Sequence, residues 1–282
     1  MKIHLLTDSG SDITQQEASA MGITVLPLKT RFGDQEFLDG VTITTREFFE
    51  RLVESDEFPK TSQIPPQEYE QAFAKALQSA DHVLCITISS KLSGCCQSAC
   101  IASQSFPGRV TVIDSENVTL GQRNLIDDAL RLLAQSDDPA LITAQLEQDK
   151  KKICLVALLD TLEYLKKGGR ISAAAALAGS LLSIKPVIAI DEGEIAVLGK
   201  ARGSRNGNNL LSQCVQRRGE IDYDKPYCLA YSGFSDQLLQ KYLADNAPFY
   251  QIDAGSIPVH QIGSTIGTHV GPGAIAVSFF VR

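Results

Sequence analysis

Tryptophan is absent from the sequence, and aromatic side chains of any kind are few. The 282 residues include 7 Tyr and 11 Phe, too few for the stacked aromatic platform that single-stranded nucleic acid requires. An excess of positive charge is also missing, since 26 Lys and Arg stand against 33 Asp and Glu and the net charge is −7. Phosphate backbones select basic surfaces, so we expect no nucleic-acid partner.

Long hydrophobic runs are lacking as well. Residues 171–184 are mostly apolar and uncharged, but Ser and Gly interrupt them and the stretch is too short to span a bilayer. Residues 1–12 hold too few apolar side chains for a signal peptide. The seven cysteines form an odd set without zinc-ligand spacing. These absences predict a cytoplasmic protein with reduced thiols, no integral membrane segment and no metal site.

The short motifs of nucleotide-binding and hydrolytic enzymes are absent too. The sequence has no P-loop, no G-x-G-x-x-G after a strand and no G-x-S-x-G turn. We therefore expect no cofactor, and the residues by themselves identify no reaction.

The first half of the chain alternates strands with helices. Apolar runs typical of buried strands occur at residues 3–7, 23–28, 83–88 and 110–113. Helical stretches separate these runs, and that order is typical of parallel pairing. Residues 1–150 are therefore predicted to form a Rossmann-like α/β domain with a parallel sheet.

The second half of the chain has a different pattern. Asp191-Glu192-Gly193-Glu194 lies between two apolar runs and predicts a β-hairpin. Helical stretches surround the hairpin, among them the Ala-rich residues 172–183. Residues 151–282 are therefore predicted to form a mixed α+β domain.

Polar loops follow or adjoin the strands of the first half, at residues 8–11, 60–63, 89–94 and 114–115. In an open α/β sheet, loops at the carboxyl ends of strands line the ligand crevice. Hydroxyls and backbone N–H groups there can bind an anion without net positive charge. The alternative is that Ser11, Thr61 and Ser93 are ordinary helix caps, and either interpretation fits each loop alone.

Three candidate functional residues of the second half lie next to or near glycines in the sequence. His269 lies within the glycine-rich residues 263–273, which predict a loop and favour a functional role over a turn-stabilising one. Arg170 follows Gly168-Gly169, and Arg202 precedes Gly203. Either arginine alone is more typical of a solvated basic turn than of a functional site. Both lie within residues 150–205, where ten basic residues outnumber five acidic ones.

Taken together, these loops resemble the DegV family. The matching stretches run in the family's order from residue 2 to the C-terminus. They are Thr7-Asp8-Ser9, Lys60-Thr61-Ser62-Gln63, Ser90-x-Leu92-Ser93-Gly94, Asp114-Ser115, residues 159–171, residues 182–186, Lys200-Ala201-Arg202-Gly203 and residues 266–274. Each stretch is a weak signal, whereas the ordered series is specific.

The resemblance implies two α/β domains with a tunnel between them that encloses one long-chain fatty acid. It also implies a non-catalytic carrier that presents the carboxylate to a separate ATP-dependent subunit, the catalytic subunit of a bacterial fatty-acid kinase. That subunit would form an acyl phosphate for phospholipid synthesis. By motif, the carboxylate would be bound by Thr61, Ser93 and His269. Supporting head-group loops would contain Asp8, Ser9, Ser62 and Gly94. The rim where the kinase docks would carry Arg170 and Arg202.

Departures from the family pattern concern the pocket. Cys95-Cys96 stand where the family usually has Thr-Tyr, and Arg123 lies in a stretch where the usual residues are smaller or apolar. Arg123 could therefore bring a charge toward the pocket.

Two other functions remain open at this point. One is a hydrolase or transferase that uses Ser93 with His269 and a carboxylate such as Asp8, which requires Ser93 within hydrogen-bond reach of His269. The other is a regulatory lipid sensor that shares the pocket and binds a different acidic partner.

Overall fold

The strands of the chain form three sheets in a computed structural model that describes residues 1–171, 184–250 and 256–282. The strands are β1 (Ile3–Asp8), β2 (Thr24–Leu26), β3 (Lys29–Phe32), β4 (Gln35–Leu38), β5 (Lys60–Ser62), β6 (His82–Thr87), β7 (Val110–Asp114), β8 (Ile153–Leu158), β9 (Ile184–Asp191), β10 (Glu194–Arg202), β11 (Cys228–Tyr231), β12 (Val259–Gln261) and β13 (Ile275–Phe280). The predicted helix over residues 172–183 lies outside the described residues.

Helices connect and cover these strands. They are α1 (Gln15–Met21), α2 (Thr45–Glu54), α3 (Pro66–Ala76), α4 (Cys95–Ser103), α5 (Leu120–Leu133), α6 (Pro139–Asp149), α7 (Glu163–Lys167), α8 (Ser204–Arg218), α9 (Gln237–Asn246) and α10 (Ser264–Val270). Within the described part of the chain, no helix is long and apolar enough to cross a membrane.

The first sheet is parallel throughout, in the order β2-β1-β6-β7. All six residues of β6 are buried, which explains why it reads as a continuous apolar run. The sheet lies where strand–helix alternation predicts it. The carboxyl ends of its strands carry Asp8, residues 88–94 and Asp114, as the polar loops indicated.

A small antiparallel sheet, in the order β4-β3-β5, was not predicted from the sequence. Its strands are three or four residues long, and β3 and β5 are mostly polar, so the sequence shows no apolar alternation with a period of two there. Tertiary pairing holds them, since Thr30 lies opposite Thr61 in the ladder. This pairing fixes the strand that carries Thr61.

The second sheet is mixed, in the order β10-β9-β8-β13-β11-β12, with β11 and β12 as its parallel pair. The predicted hairpin is confirmed, because Asp191 pairs with Glu194 at the turn between β9 and β10. The α/β fold class, with a parallel first sheet and a mixed second sheet, is therefore confirmed.

One hydrophobic cluster joins the two larger sheets. It contains Leu6 and Cys85 of the first sheet together with Ala157, Ile188 and Ala276 of the second. The parallel sheet and the small antiparallel sheet precede residue 150, and the mixed sheet follows it. The division into domains 1–150 and 151–282 stays a prediction, because this shared cluster packs across it.

Candidate functional site

A cavity with an empty volume of about 870 Å³, part of which is open to solvent, lies between the loops at the carboxyl ends of the parallel sheet and the mixed sheet. Aliphatic side chains line most of it, from both halves of the chain. Examples are Ile88, Val118, Leu155, Ile188 and Ile190. Polar side chains enter the lining from a few elements, and these define the candidate site.

Thr61 and His269 meet at the cavity. The Thr61 hydroxyl on β5 and Nε2 of His269 on α10 share a hydrogen bond of 2.9 Å, although the residues are 208 apart in sequence. Both side chains line the cavity. The structure therefore brings together two of the three residues expected to bind a carboxylate.

The prediction that His269 lies in a loop was wrong, because it lies in the last turn of helix α10. Four glycines made residues 263–273 resemble a loop, but Gly267 is needed inside the helix. A Cβ there would lie 2.8 Å from Phe48 and 2.9 Å from Phe49 of α2. Close packing against α2 thus outweighs the poor helix propensity of glycine.

Helix α10 begins on a buried carboxylate. Asp39 accepts hydrogen bonds from the backbone N–H groups of Ser264 (2.9 Å) and Thr265 (3.3 Å) and from the hydroxyl of Ser264 (2.7 Å). These bonds satisfy N–H groups that the first turn of a helix leaves unpaired. Asp39 therefore helps to set the position of the helix that carries His269.

The His269 ring packs against the Gly168-Gly169-Arg170 turn. A Cβ at Gly168 would lie 2.1 Å from Nδ1 of His269, so only glycine leaves room for the imidazole. Burial, assisted by the positive charge of Arg170, lowers the pKa of His269 to about 4. The imidazole is therefore neutral at neutral pH.

Ser93 and Ser62 also line the cavity. The Ser93 hydroxyl donates to Sγ of Cys95 and accepts from the Cys95 backbone N–H, each at 3.3 Å. Ser93 therefore lines the cavity and bonds the first backbone N–H of α4, but it is not the N-cap, which is Gly94 and has no side-chain cap bond. Gly94 does not line the cavity, but it gives room to Gln63, whose Oε1 would lie 1.8 Å from a Cβ there.

Asp8 and Ser9 do not line the cavity, although the resemblance placed them in head-group loops. The Asp8 carboxylate accepts from the N–H groups of Gly10 (3.0 Å) and Ile88 (2.9 Å), and burial raises its pKa to about 6. The Ser9 hydroxyl donates to Asp39 at 3.0 Å. Both residues therefore act on the site through the scaffold, Ser9 by way of the carboxylate that caps α10.

Arg170 and Arg202 are both exposed. Arg170 lines the cavity, and its guanidinium donates to the carbonyl oxygens of Leu92 (3.2 Å) and Gly168 (2.8 Å). It thus joins the Ser93 loop to the turn beneath His269. Arg202 ends strand β10 and does not line the cavity.

The three departures from the family pattern lie outside the cavity lining. Arg123 is 6% exposed and forms an ion pair of 2.7 Å with Glu17. The possibility that it brings a charge to the pocket is therefore wrong. Cys95 is buried behind Ser93, and all seven cysteines are free thiols.

A serine–histidine catalytic pair is not formed. The Ser93 hydroxyl donates to Cys95, and His269 pairs with Thr61. Asp8 accepts from the backbone N–H groups of Gly10 and Ile88 and from the side chain of Gln122. Among the described residues, no group of three or more His, Cys, Asp or Glu side chains could hold a metal.

Sequence reasoning missed two threonines whose side chains line the cavity, Thr119 and Thr265. Both hydroxyls are buried without a hydrogen-bond partner. Nothing in the local sequence distinguishes them from other threonines near helix starts.

The whole chain matches one family model. Residues 2–282 match the model of the DegV family. The chain belongs to the DegV family. A DegV domain-containing protein from Deinococcus radiodurans is 34% identical over 284 residues, which cover 99% of this chain and 98% of that one.

Solved structures of DegV proteins share this architecture. A fatty-acid-binding DegV protein from Thermus thermophilus is 32% identical, with a TM-score of 0.89 and 100% of both chains covered. A stearic-acid-binding protein from Eubacterium ventriosum is 26% identical, with a TM-score of 0.88, and the match covers 99% of this chain and 98% of that one. These likenesses agree with the resemblance of the sequence motifs.

Proposed function

We propose that the chain binds a long-chain fatty acid in this cavity, with the carboxylate at Thr61, Ser93 and His269. The observation that carries this proposal is a mostly aliphatic cavity of about 870 Å³ with the Thr61–His269 pair in its lining. The fatty-acid-binding DegV proteins of Thermus thermophilus and Eubacterium ventriosum support it.

The polar groups suit a carboxylate that must stay reactive. Hydroxyl donors give short, charge-assisted hydrogen bonds, which offset part of the cost of removing the charge from water. The imidazole of His269 is neutral, so it orients the Thr61 hydroxyl without forming an ion pair. An oxygen of the carboxylate therefore remains available as a nucleophile.

The aliphatic lining supplies the binding free energy. Burial at ~0.8 kcal/mol per methylene gives roughly 10 kcal/mol for a tail of about sixteen carbons, before the costs of ordering the chain and closing the site.

Lipid extraction tests the binding. Protein purified without added lipid, denatured and extracted should release about one long-chain fatty acid per chain, as measured by mass spectrometry.

Replacing Thr61→Ala together with Ser93→Ala should weaken palmitate binding by about tenfold or more, because two charge-assisted hydrogen bonds are lost. Ser103→Ala, on the exposed side of α4, is the matched control. Recovery of no lipid, with no uptake of palmitate, would contradict the proposal.

We further propose that the chain is a non-catalytic carrier in the cytoplasm that serves a separate ATP-dependent kinase subunit. In that subunit a carboxylate oxygen would attack the γ-phosphorus of ATP, the bond to the leaving ADP would break, and an acyl phosphate would result. The exposed Arg202 and Arg170, within the basic residues 150–205, support a docking surface for an acidic face of that partner.

Arg202 is the cleaner test of docking, since Arg170 also lines the cavity. Arg202→Ala should lower acyl-phosphate formation by the kinase subunit while palmitate still binds. Arg131→Ala, which removes a half-exposed arginine from α5, should change neither measurement. If Arg202→Ala reduces lipid binding as much as turnover, the docking role is wrong.

A further inference from the structure

Two threonine hydroxyls inside the cavity have no hydrogen-bond partner. Thr119 is 5% exposed and Thr265 is 3% exposed, and both line the cavity. Oγ1 of neither residue makes a hydrogen bond of acceptable geometry to another described residue. A buried hydroxyl without a partner costs free energy, so native proteins rarely leave one unpaired.

The local structure does not use either hydroxyl. Thr119 precedes helix α5 but makes no side-chain cap, in contrast to Thr44, which caps α2. Within α10, the hydroxyl of Thr268 donates to the carbonyl of Ser264 at 2.9 Å, whereas that of Thr265 makes no such bond. Both free hydroxyls therefore remain available to a molecule in the cavity.

The two hydroxyls are held in place by neighbouring elements. Thr265 lies four residues before His269, and so on the same face of α10, about one helical turn or 5.4 Å along the axis. The backbone N–H of Thr119 donates to Gly10 at 2.7 Å. Burial raises the pKa of Asp12 to about 7, and the nearby side chain of Thr119 acts against that rise.

We propose that the cavity selects an oxygenated fatty acid, whose chain carries a hydroxyl group that pairs with Thr119 and Thr265. This inference rests on the proposed function and names the class of fatty acid. A hydroxyl both donates and accepts, so it can accept from one threonine and donate to the other. A methylene at the same place leaves both threonines unpaired. A site built for such a hydroxyl discriminates against the analogue that lacks it.

The test compares hydroxylated with plain fatty acids. Palmitate and a series of monohydroxy palmitates, substituted at successive carbons, compete for the lipid-free protein with a fluorescent fatty acid. At least one isomer should bind tighter than palmitate by about tenfold or more. If no isomer binds tighter than palmitate, the inference is overturned while the proposed function stands. If palmitate and every isomer fail to bind, the proposed function itself is wrong.

Variants of α10 locate the effect. Thr265→Val removes the hydroxyl and keeps the β-branched shape, so the affinity ratio of the best isomer to palmitate should fall toward one. Thr265→Ser keeps a hydroxyl and should keep the ratio. Thr268→Val is the matched control, because it removes a hydroxyl of the same helix that does not line the cavity. An unchanged affinity ratio in folded Thr265→Val protein would overturn the assignment. If Thr265→Val does not fold, the ratio measured for Thr265→Ser decides instead, and a ratio that falls toward one in that variant would overturn it.

Discussion

Gly168 is a requirement of the site at the scale of single residues. Its φ of −74° is open to any residue, so an alanine there would not strain the backbone. The added Cβ would instead lie 2.1 Å from Nδ1 of His269 and displace the imidazole. Gly168→Ala should therefore break the Thr61–His269 bond and weaken palmitate binding by about tenfold, the effect of one lost hydrogen bond.

Titration with palmitate, which measures the affinity of the wild type, of Gly168→Ala and of a control variant, checks this effect. Gly199→Ala is the control, since its Cβ would meet only the flexible end of Leu210, at 3.2 Å, outside the cavity lining. Equal affinities for the wild type and Gly168→Ala would show that the ring has other space to occupy.

The burial of His269 also predicts a pH dependence of stability. Its native pKa of about 4 lies below the ordinary value of 6.5. Between pH 4 and pH 6.5 the histidine is protonated in the unfolded chain but neutral in the native protein. The free energy of unfolding therefore falls as pH decreases from 6.5 to 4. The loss attributable to this group approaches about 3 kcal/mol.

The readout is the difference between the wild type and His269→Gln in urea unfolding at several pH values. Buried carboxyls with raised pKa, such as Asp8 at about 6, change stability in the opposite direction, so the wild-type slope alone does not isolate the histidine. His269→Gln should lose less stability than the wild type on acidification. Parallel pH profiles would contradict the assignment.

At the scale of elements, the turn of the β9–β10 hairpin contacts the first half of the chain. The Ser89 hydroxyl donates to the carbonyl of Gly193 at 2.8 Å, and a Cβ at Gly193 would lie 2.6 Å from that hydroxyl oxygen. Ile190 and Ile195, on either side of the turn, line the cavity. The contact therefore holds one wall of the cavity in place.

Gly193→Ala should lower the free energy of unfolding by about 2 kcal/mol, from a positive φ and a lost hydrogen bond. Gly108→Ala separates the two causes, because Gly108 has a φ of +72° with no neighbour within 4 Å of the added Cβ. Urea unfolding should show a larger loss for Gly193→Ala. Equal losses would mean that the contact with Ser89 adds nothing.

At the scale of the whole molecule, the cavity wall consists of residues from both halves of the chain, for example Ile88, directly after β6, and Ile188 of β9. Unfolding of either half should therefore release the ligand. Palmitate at a hundred times its dissociation constant should raise the free energy of unfolding by about 2.7 kcal/mol. Urea midpoints with and without palmitate measure this, and the Thr61→Ala, Ser93→Ala double variant should shift less. An unchanged midpoint would mean that the folded chain does not bind palmitate selectively.

The sequence by itself determined the fold class, the hairpin at residues 191–194 and the chemistry of the polar loops. These features depend on apolar periodicity, turn residues and side-chain types, which are local in the chain. It also led to the DegV family, through motifs whose order is visible without coordinates.

Only the tertiary structure decided which of those polar residues meet. Thr61 and His269 touch across 208 residues, because the pairing of β5 with β3 and the packing of α10 on α2 bring them together. The same packing makes a helix of a glycine-rich stretch and leaves Thr265 unpartnered in the cavity. Such contacts depend on the relative placement of distant elements, which no local pattern encodes.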